Sequence, residues 1–109
     1  MTQSGSSTKT VDEITKERGA TYGRFGEQSR ISLDLQRHFK VPLEKLYADS
    51  DIDAEAYAAV CEGVSLICLK LSRLACGDTT HLDTWDDIAG YAKITAREIR
   101  RSRGEEVEY

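Results

Sequence analysis

Little in this chain favours a β-rich, secreted or membrane-spanning protein. One proline and an aromatic content of 7% argue against a β-sandwich. No apolar run approaches the ~20 residues needed to cross a bilayer, and the amino terminus is polar rather than a charged start followed by an apolar segment. Neither a membrane span nor a secretion signal is therefore expected. Cys61, Cys68 and Cys76 are odd in number and include no close pair, which predicts small core thiols in a reducing cytoplasm. Together with His38 and His81 they offer no Cys-x-x-Cys or His-x-x-x-His spacing, so no metal site is predicted. Basic residues are also in deficit, 15 against 19 acidic ones, for a net charge of −4. That balance excludes binding of DNA or RNA polymers through electrostatics alone.

What is present is globular and helical. Hydrophobic residues make up 39% and charged residues 31% of 109, enough for one domain with a small core. The sequence predicts an all-α fold in which short N-terminal helices precede two long antiparallel helices, with surplus apolar surface for a helical oligomer. Residues 1–9 read as a flexible leader, 10–103 as the domain and 104–109 as an acidic tail carrying Glu105, Glu106 and Glu108.

Thr10 and Glu13 fit a capping box that opens a first helix from Val11 to about Arg18. The run Gly19–Gly26 sets glycines around Tyr22 and Phe25 and predicts a shaped turn. A second helix from about Gly26 to Phe39 carries Ile31, Leu35 and Phe39. Pro42 suits the first turn of a short helical piece through Tyr47, and Ala48–Asp53 reads as an acidic loop. Asp53 is placed to cap the longest helix, Ala54 to about Cys76, on which Tyr57, Val60, Val64, Ile67, Leu71 and Leu74 form a nearly regular apolar seam. Gly77 is expected to end it with a left-handed cap.

The last helix holds the densest pattern, Asp83-Thr84-Trp85-Asp86-Asp87-Ile88-Ala89-Gly90-Tyr91-Ala92. Asp83 or Thr84 is the expected cap, Trp85, Ile88, Ala92 and Ile99 the expected apolar face, and the end is expected to fray near Ser102–Gly104. Gly90 costs roughly 1 kcal/mol relative to alanine inside a helix. It therefore predicts close approach of another backbone, within the chain or between chains, or of a flat ligand.

Two kinds of chemistry fit these residues. Asp83, Asp86 and Asp87, faced by Glu55 and Glu62, suggest a Mg²⁺ site of the kind used by MazG-like nucleotide pyrophosphohydrolases. Asp83-Thr84-Trp85-Asp86 resembles one of that group's two acidic pairs, but the long helix lacks the matching Glu-x-x-Glu. Acidic residues at a helix N-terminus are otherwise explained by the helix dipole. The second reading is anion recognition without chemistry. Tyr22, Gly23, Arg24 and Phe25, followed by Arg30 and Arg37, combine flat faces for a base with cations for phosphate. Lys70 and Arg73 add a basic pair on one face of the long helix, where symmetry in an oligomer would turn one arginine per subunit into a ring of donors.

The series Glu17-Arg18, Thr21-Tyr22-Gly23, Phe25, Lys70-Leu71-Ser72-Arg73, Gly77-Asp78 and Trp85 to Ala92 resembles the anti-CBASS sponges. These are small phage-encoded helical proteins, distantly MazG-like, that bind and hide the cyclic oligonucleotide signals of bacterial defence. The likeness covers about residues 11–97. It implies a homohexamer in the cytoplasm of an infected host that binds cyclic dinucleotides between protomers and cyclic trinucleotides at three-fold positions. Cyclic ADP-ribose isomers fit equally well. It implies no turnover and no cofactor. Tyr22 would match the aromatic residue beside the phosphodiester and Arg37 would stand where the family has a lysine. Arg73 is assigned to the three-fold site for its basic character and helix position. The longer Val41–Asp53 connection departs from the family at the edge of the pocket between protomers. A ligand-free oligomeric adaptor is the remaining alternative, since the seam explains assembly without any small molecule.

Overall fold

The computed structural model describes residues 9–22, 24–49 and 51–108, with the side chains of 18–22 excepted. Its five helices are α1 (Val11–Tyr22), α2 (Phe25–Arg37), α3 (Lys40–Asp49), α4 (Ala54–Cys76) and α5 (Leu82–Ser102). The all-α expectation holds, and α4 spans the residues read from the sequence. Helix α4 is the hub, with α5 and α2 packed along it and α1 and α3 touching it lightly. The long pair α4 and α5 is joined by a short loop and runs antiparallel, as expected.

Local sequence explains the helix starts. The Thr10 hydroxyl accepts from the Glu13 amide at 3.1 Å, and the Asp53 carboxylate accepts from the Ala56 amide at 2.8 Å, each relieving an orphan donor of a first turn. Several boundaries differ from expectation. The Gly19–Gly26 run is not an extended turn: α1 continues to Tyr22 and α2 starts at Phe25. Both helices outlast their glycines because each glycine is single and flanked by residues that sustain a helix. Helix α3 is longer than the piece around Pro42 and reaches Asp49, which shortens the acidic loop. Residues 1–8 of the expected leader lie outside the described residues.

The caps of the long helices also differ. Gly77 ends α4 with φ −135°, not a left-handed conformation. Asp83 and Thr84 do not cap α5, which begins at Leu82 behind His81. Thr84 is instead buried, 2.9 Å from His81 Nδ1. The end of α5 does not fray: Gly104 takes φ 83°, its amide donates to the Arg101 carbonyl, and the Glu105 amide donates to the Arg100 carbonyl. That is a Schellman closure, for which glycine has no Cβ penalty.

The core is small and unusually polar. Among the described residues the buried hydrophobic set is Ala56, Cys68 and Leu74, while Gln28, Ser32, Ser72 and Thr84 are buried beside them. Ser72 donates to the Leu69 carbonyl at 2.6 Å and Gln36 donates to Ser32 at 3.1 Å, so these groups keep partners out of water. The expected apolar seam of α4 is only half-buried apart from Leu74, and Leu71 is exposed. On α5 the face toward α4 is Thr84, Ile88, Tyr91 and Thr95; of the expected stripe Ile88 and Ile99 are half-buried, while Trp85 and Ala92 are left exposed.

Close approach occurs at a different glycine from the one singled out by sequence. A Cβ on Gly63 would lie 2.3 Å from Thr95 Oγ1, so the α4–α5 crossing is tight there. Gly90 has nothing within 4 Å of where its Cβ would be, which removes the expected crowding within the chain. At the other end of the pair, Arg101 forms a two-pronged bond to Asp53 at 3.0 and 3.1 Å and holds Glu98 as well. Ser102 accepts from the Asp53 amide at 2.8 Å and Arg103 reaches Asp51 at 2.6 Å. These bonds fasten the end of α5 to the start of α4.

Candidate functional site

Helix α2 begins at Phe25 behind Arg24, an N-cap residue whose own side chain makes no capping bond. The positive end of the helix dipole favours an anion at this place. Arg24, Gly26, Glu27 and Arg30 line an open cleft of about 500 Å³ here. Gly26 lies within α2 with nothing within 4 Å of its would-be Cβ, so the backbone on this side is accessible. Phe25 is 75% exposed at the same turn, a flat apolar face at the surface.

Glu27 shares the cleft and pairs loosely with Arg24 at 3.9 Å. The end of α4 lies alongside, since burial and the Glu27 carboxylate both raise the pKa of the half-buried Cys76 thiol while the Arg30 guanidinium opposes them. Two cations, one carboxylate and the positive end of a helix dipole make a site with a net preference for anions. An incoming phosphate would compete with Glu27 for Arg24.

The eight residues selected from the sequence do not form one constellation. Arg24 and Arg30 come together at one cleft, while Phe25 is exposed in the same first turn without lining it. Arg37 is at the far end of α2, roughly 20 Å from Arg24 at 1.5 Å per residue, exposed and paired with Asp34 at 3.4 Å. Lys70 turns toward α5 and binds Asp87 at 2.8 Å, its side chain only 15% exposed. Arg73 is also engaged within the chain. Tyr22 ends α1, but its side chain lies outside the described residues, as does Gly23 altogether.

The acidic cluster is likewise divided, because Asp87 is neutralised by Lys70 while Asp83 and Asp86 are exposed. Among the described residues, no three His, Cys, Asp or Glu side chains gather into a group able to hold a metal ion. Cys68 is buried and its thiol is pushed up by desolvation, which suits a core residue rather than a nucleophile.

Sequence reading missed Glu27 and the Asp53–Arg101–Glu98 clamp. Glu27 had a local signal, three residues after Arg24 on the same helix face. Asp53 and Arg101 are 48 residues apart, and nothing local couples them.

No curated protein and no solved structure matches the chain. The sequence pattern of DUF6378, a domain of unknown function, matches residues 8–99, from just before α1 to near the end of α5, and the chain belongs to that family.

Proposed function

We propose that this protein binds and sequesters a small phosphate-bearing signal, a cyclic di- or trinucleotide or a cyclic ADP-ribose isomer, without cleaving it. The observation that carries this reading is the cleft at the start of α2, lined by Arg24 and Arg30, with Phe25 exposed in the same helical turn. Guanidinium groups and the amino end of a helix suit phosphate oxygens, and an aromatic face suits a base. Sequestration needs slow release from pre-formed contacts rather than a general base or long-range attraction, which is compatible with a net charge of −4.

In this reading the protein is a phage counter-defence sponge acting in the cytoplasm of the infected bacterium, as the resemblance of its sequence blocks implies. It acts as a homo-oligomer, a hexamer by the same resemblance. Tyr22 and Arg37 complete the dinucleotide site from a neighbouring protomer, and Arg73 and Lys70 serve a second, three-fold site.

The test is native mass spectrometry of the purified protein with a panel of cyclic oligonucleotides and cyclic ADP-ribose isomers in the presence of Mg²⁺. Intact ligand bound to a defined oligomer is the expected result. Altered nucleotides with no bound ligand would replace sequestration by MazG-like hydrolysis. Unbound protein with every nucleotide intact would refute the ligand altogether and leave an oligomeric adaptor.

A further inference from the structure

Helix α5 carries two seams, and the fold uses one of them. Thr84, Ile88, Tyr91, Thr95, Glu98 and Ser102, spaced alternately by four and three, face α4 and are buried or half-buried. One position round, Leu82, Trp85, Ala89, Ala92, Ala96 and Ile99 form a second seam. Leu82 is 74% and Trp85 47% exposed, Ala89 and Ala92 are exposed, and Ala96 and Ile99 are half-buried. Trp85 is held in place by its indole N–H, which donates to the Thr79 carbonyl at 2.8 Å, so the large apolar face stands ordered at the surface.

The second seam is self-complementary. Its spacing, three, four, three, four, three, reads the same from either end. A two-fold axis between Ala89 and Ala92 would set Trp85 over the partner's Ala96, Leu82 over the partner's Ile99 and Ala89 over the partner's Ala92. Bulky side chains then meet small ones, and the alanine centre allows the two helices to approach closely.

Charge selects the same direction. The first half of α5 carries Asp83 and Asp86 and the second half Lys93, Arg97 and Arg100, beside Asp87 and Arg101, which are paired within the chain to Lys70 and Asp53. Antiparallel pairing brings acidic halves to basic halves and puts Asp86 within one turn of the partner's Lys93. Parallel pairing would stack like charges. The apolar surface also continues beyond α5. The Lys70–Asp87 ion pair marks one side of the α4–α5 crossing, and on the opposite side Val60, Val64 and Leu71 of α4 share the side that bears Trp85 and Ala92, as their positions round each helix require.

We propose that a second copy of this chain docks on this face, α5 against α5 in antiparallel register about a two-fold axis between Ala89 and Ala92. The proposal deepens the oligomeric part of the function above and rests on it only in taking a second copy as the occupant. It does not use the anion cleft, which is on α2. A closed hexamer with two-fold axes would contain this contact as one of its interfaces.

The experiment is sedimentation velocity across a concentration series, with the emission of the single tryptophan recorded alongside. Wild-type protein is expected as a dimer or an even multiple of it, with Trp85 emission shifting to the blue as copies associate. Ala92→Glu, at an exposed helix position whose folding is checked by circular dichroism, is expected to weaken association about tenfold or more. Asp86→Lys and Lys93→Glu should each weaken it, and the two together should restore it, a rescue that a merely structural role would not produce. A wild-type monomer at every concentration, an unchanged mass distribution for Ala92→Glu, or a double variant no better than the singles would each overturn the proposal. Failure of cyclic nucleotide binding by a protein that still dimerises would refute the ligand and leave the interface intact.

Discussion

Gly63→Ala tests the α4–α5 crossing directly. The new methyl carbon would sit 2.3 Å from Thr95 Oγ1 and 3.3 Å from both Thr95 Cβ and Cγ2. Turning the hydroxyl away does not simply clear the space, because the rest of the threonine is already tight against the same point. It would also break the 2.8 Å bond from Thr95 Oγ1 to the Tyr91 carbonyl. Two effects of opposite sign compete. Alanine in place of a helical glycine gains up to about 1 kcal/mol from reduced backbone entropy, whereas overpacking a close contact costs about 1–3 kcal/mol. The net expectation is a loss of about 1–2 kcal/mol, since the displaced group is a short branched side chain anchored in the opposing helix. For a domain of this size that lowers Tm by roughly 5–15 °C. Urea denaturation followed at 222 nm measures the loss, at fixed protein concentration so that assembly does not confound it. In a Thr95→Ala background the clash is relieved and the same substitution should be neutral or stabilising, giving a coupling of about 2 kcal/mol. Gly63→Ala as stable as the wild type would show that the helices separate without cost and that the crossing does not depend on glycine.

Three further outcomes follow from the same geometry. Replacing Arg24 and Arg30 together by Ala should remove phosphate-ligand binding measured by calorimetry, while Glu27→Gln should tighten it by freeing Arg24; weaker binding for Glu27→Gln would mean that the carboxylate orders the cleft instead of competing for it. Arg101 and the Ala56 amide hold the Asp53 carboxyl below its ordinary value of 3.8, so the clamp's contribution is fully present above that value and is lost as pH falls through the lowered one. The stability difference between wild type and Asp53→Asn should accordingly shrink below that ordinary value, and a difference that grows on acidification would contradict the ion pairing. Gly104→Ala, at φ 83°, should cost about 1 kcal/mol in urea denaturation, whereas Gly90→Ala, with open space around it, should stabilise by up to about 1 kcal/mol. A destabilising Gly90→Ala would mean that another element reaches that face in the assembled protein.

Much of the fold was legible in the sequence because it is local. The extent of α4, the caps at Thr10 and Asp53 and the short antiparallel connection all follow from signals that act within a few residues. Part of the site was legible for the same reason: Arg24, Phe25 and Arg30 are neighbours along one helix start, so their sequence spacing is nearly their spatial spacing. Arg37 and Lys70 are assigned from charge, helix spacing and family resemblance, none of which reveals which side chain an ion pair will claim. The Lys70–Asp87 and Asp53–Arg101 pairs exist only because α5 returns along α4.

The helical character of the chain, the course of its longest helix and an apolar surface larger than so small a domain hides all follow from periodicity and composition. Which face of each helix is covered is a property of the packed fold. A helix with apolar residues on two flanks can pack by either, and steric fit selects among them. The contact between Gly63 and Thr95 turns a polar face of α5 toward α4 and leaves the Trp85 and alanine seam at the surface. That choice of rotation cannot be read from either helix alone, because it depends on the shapes of both.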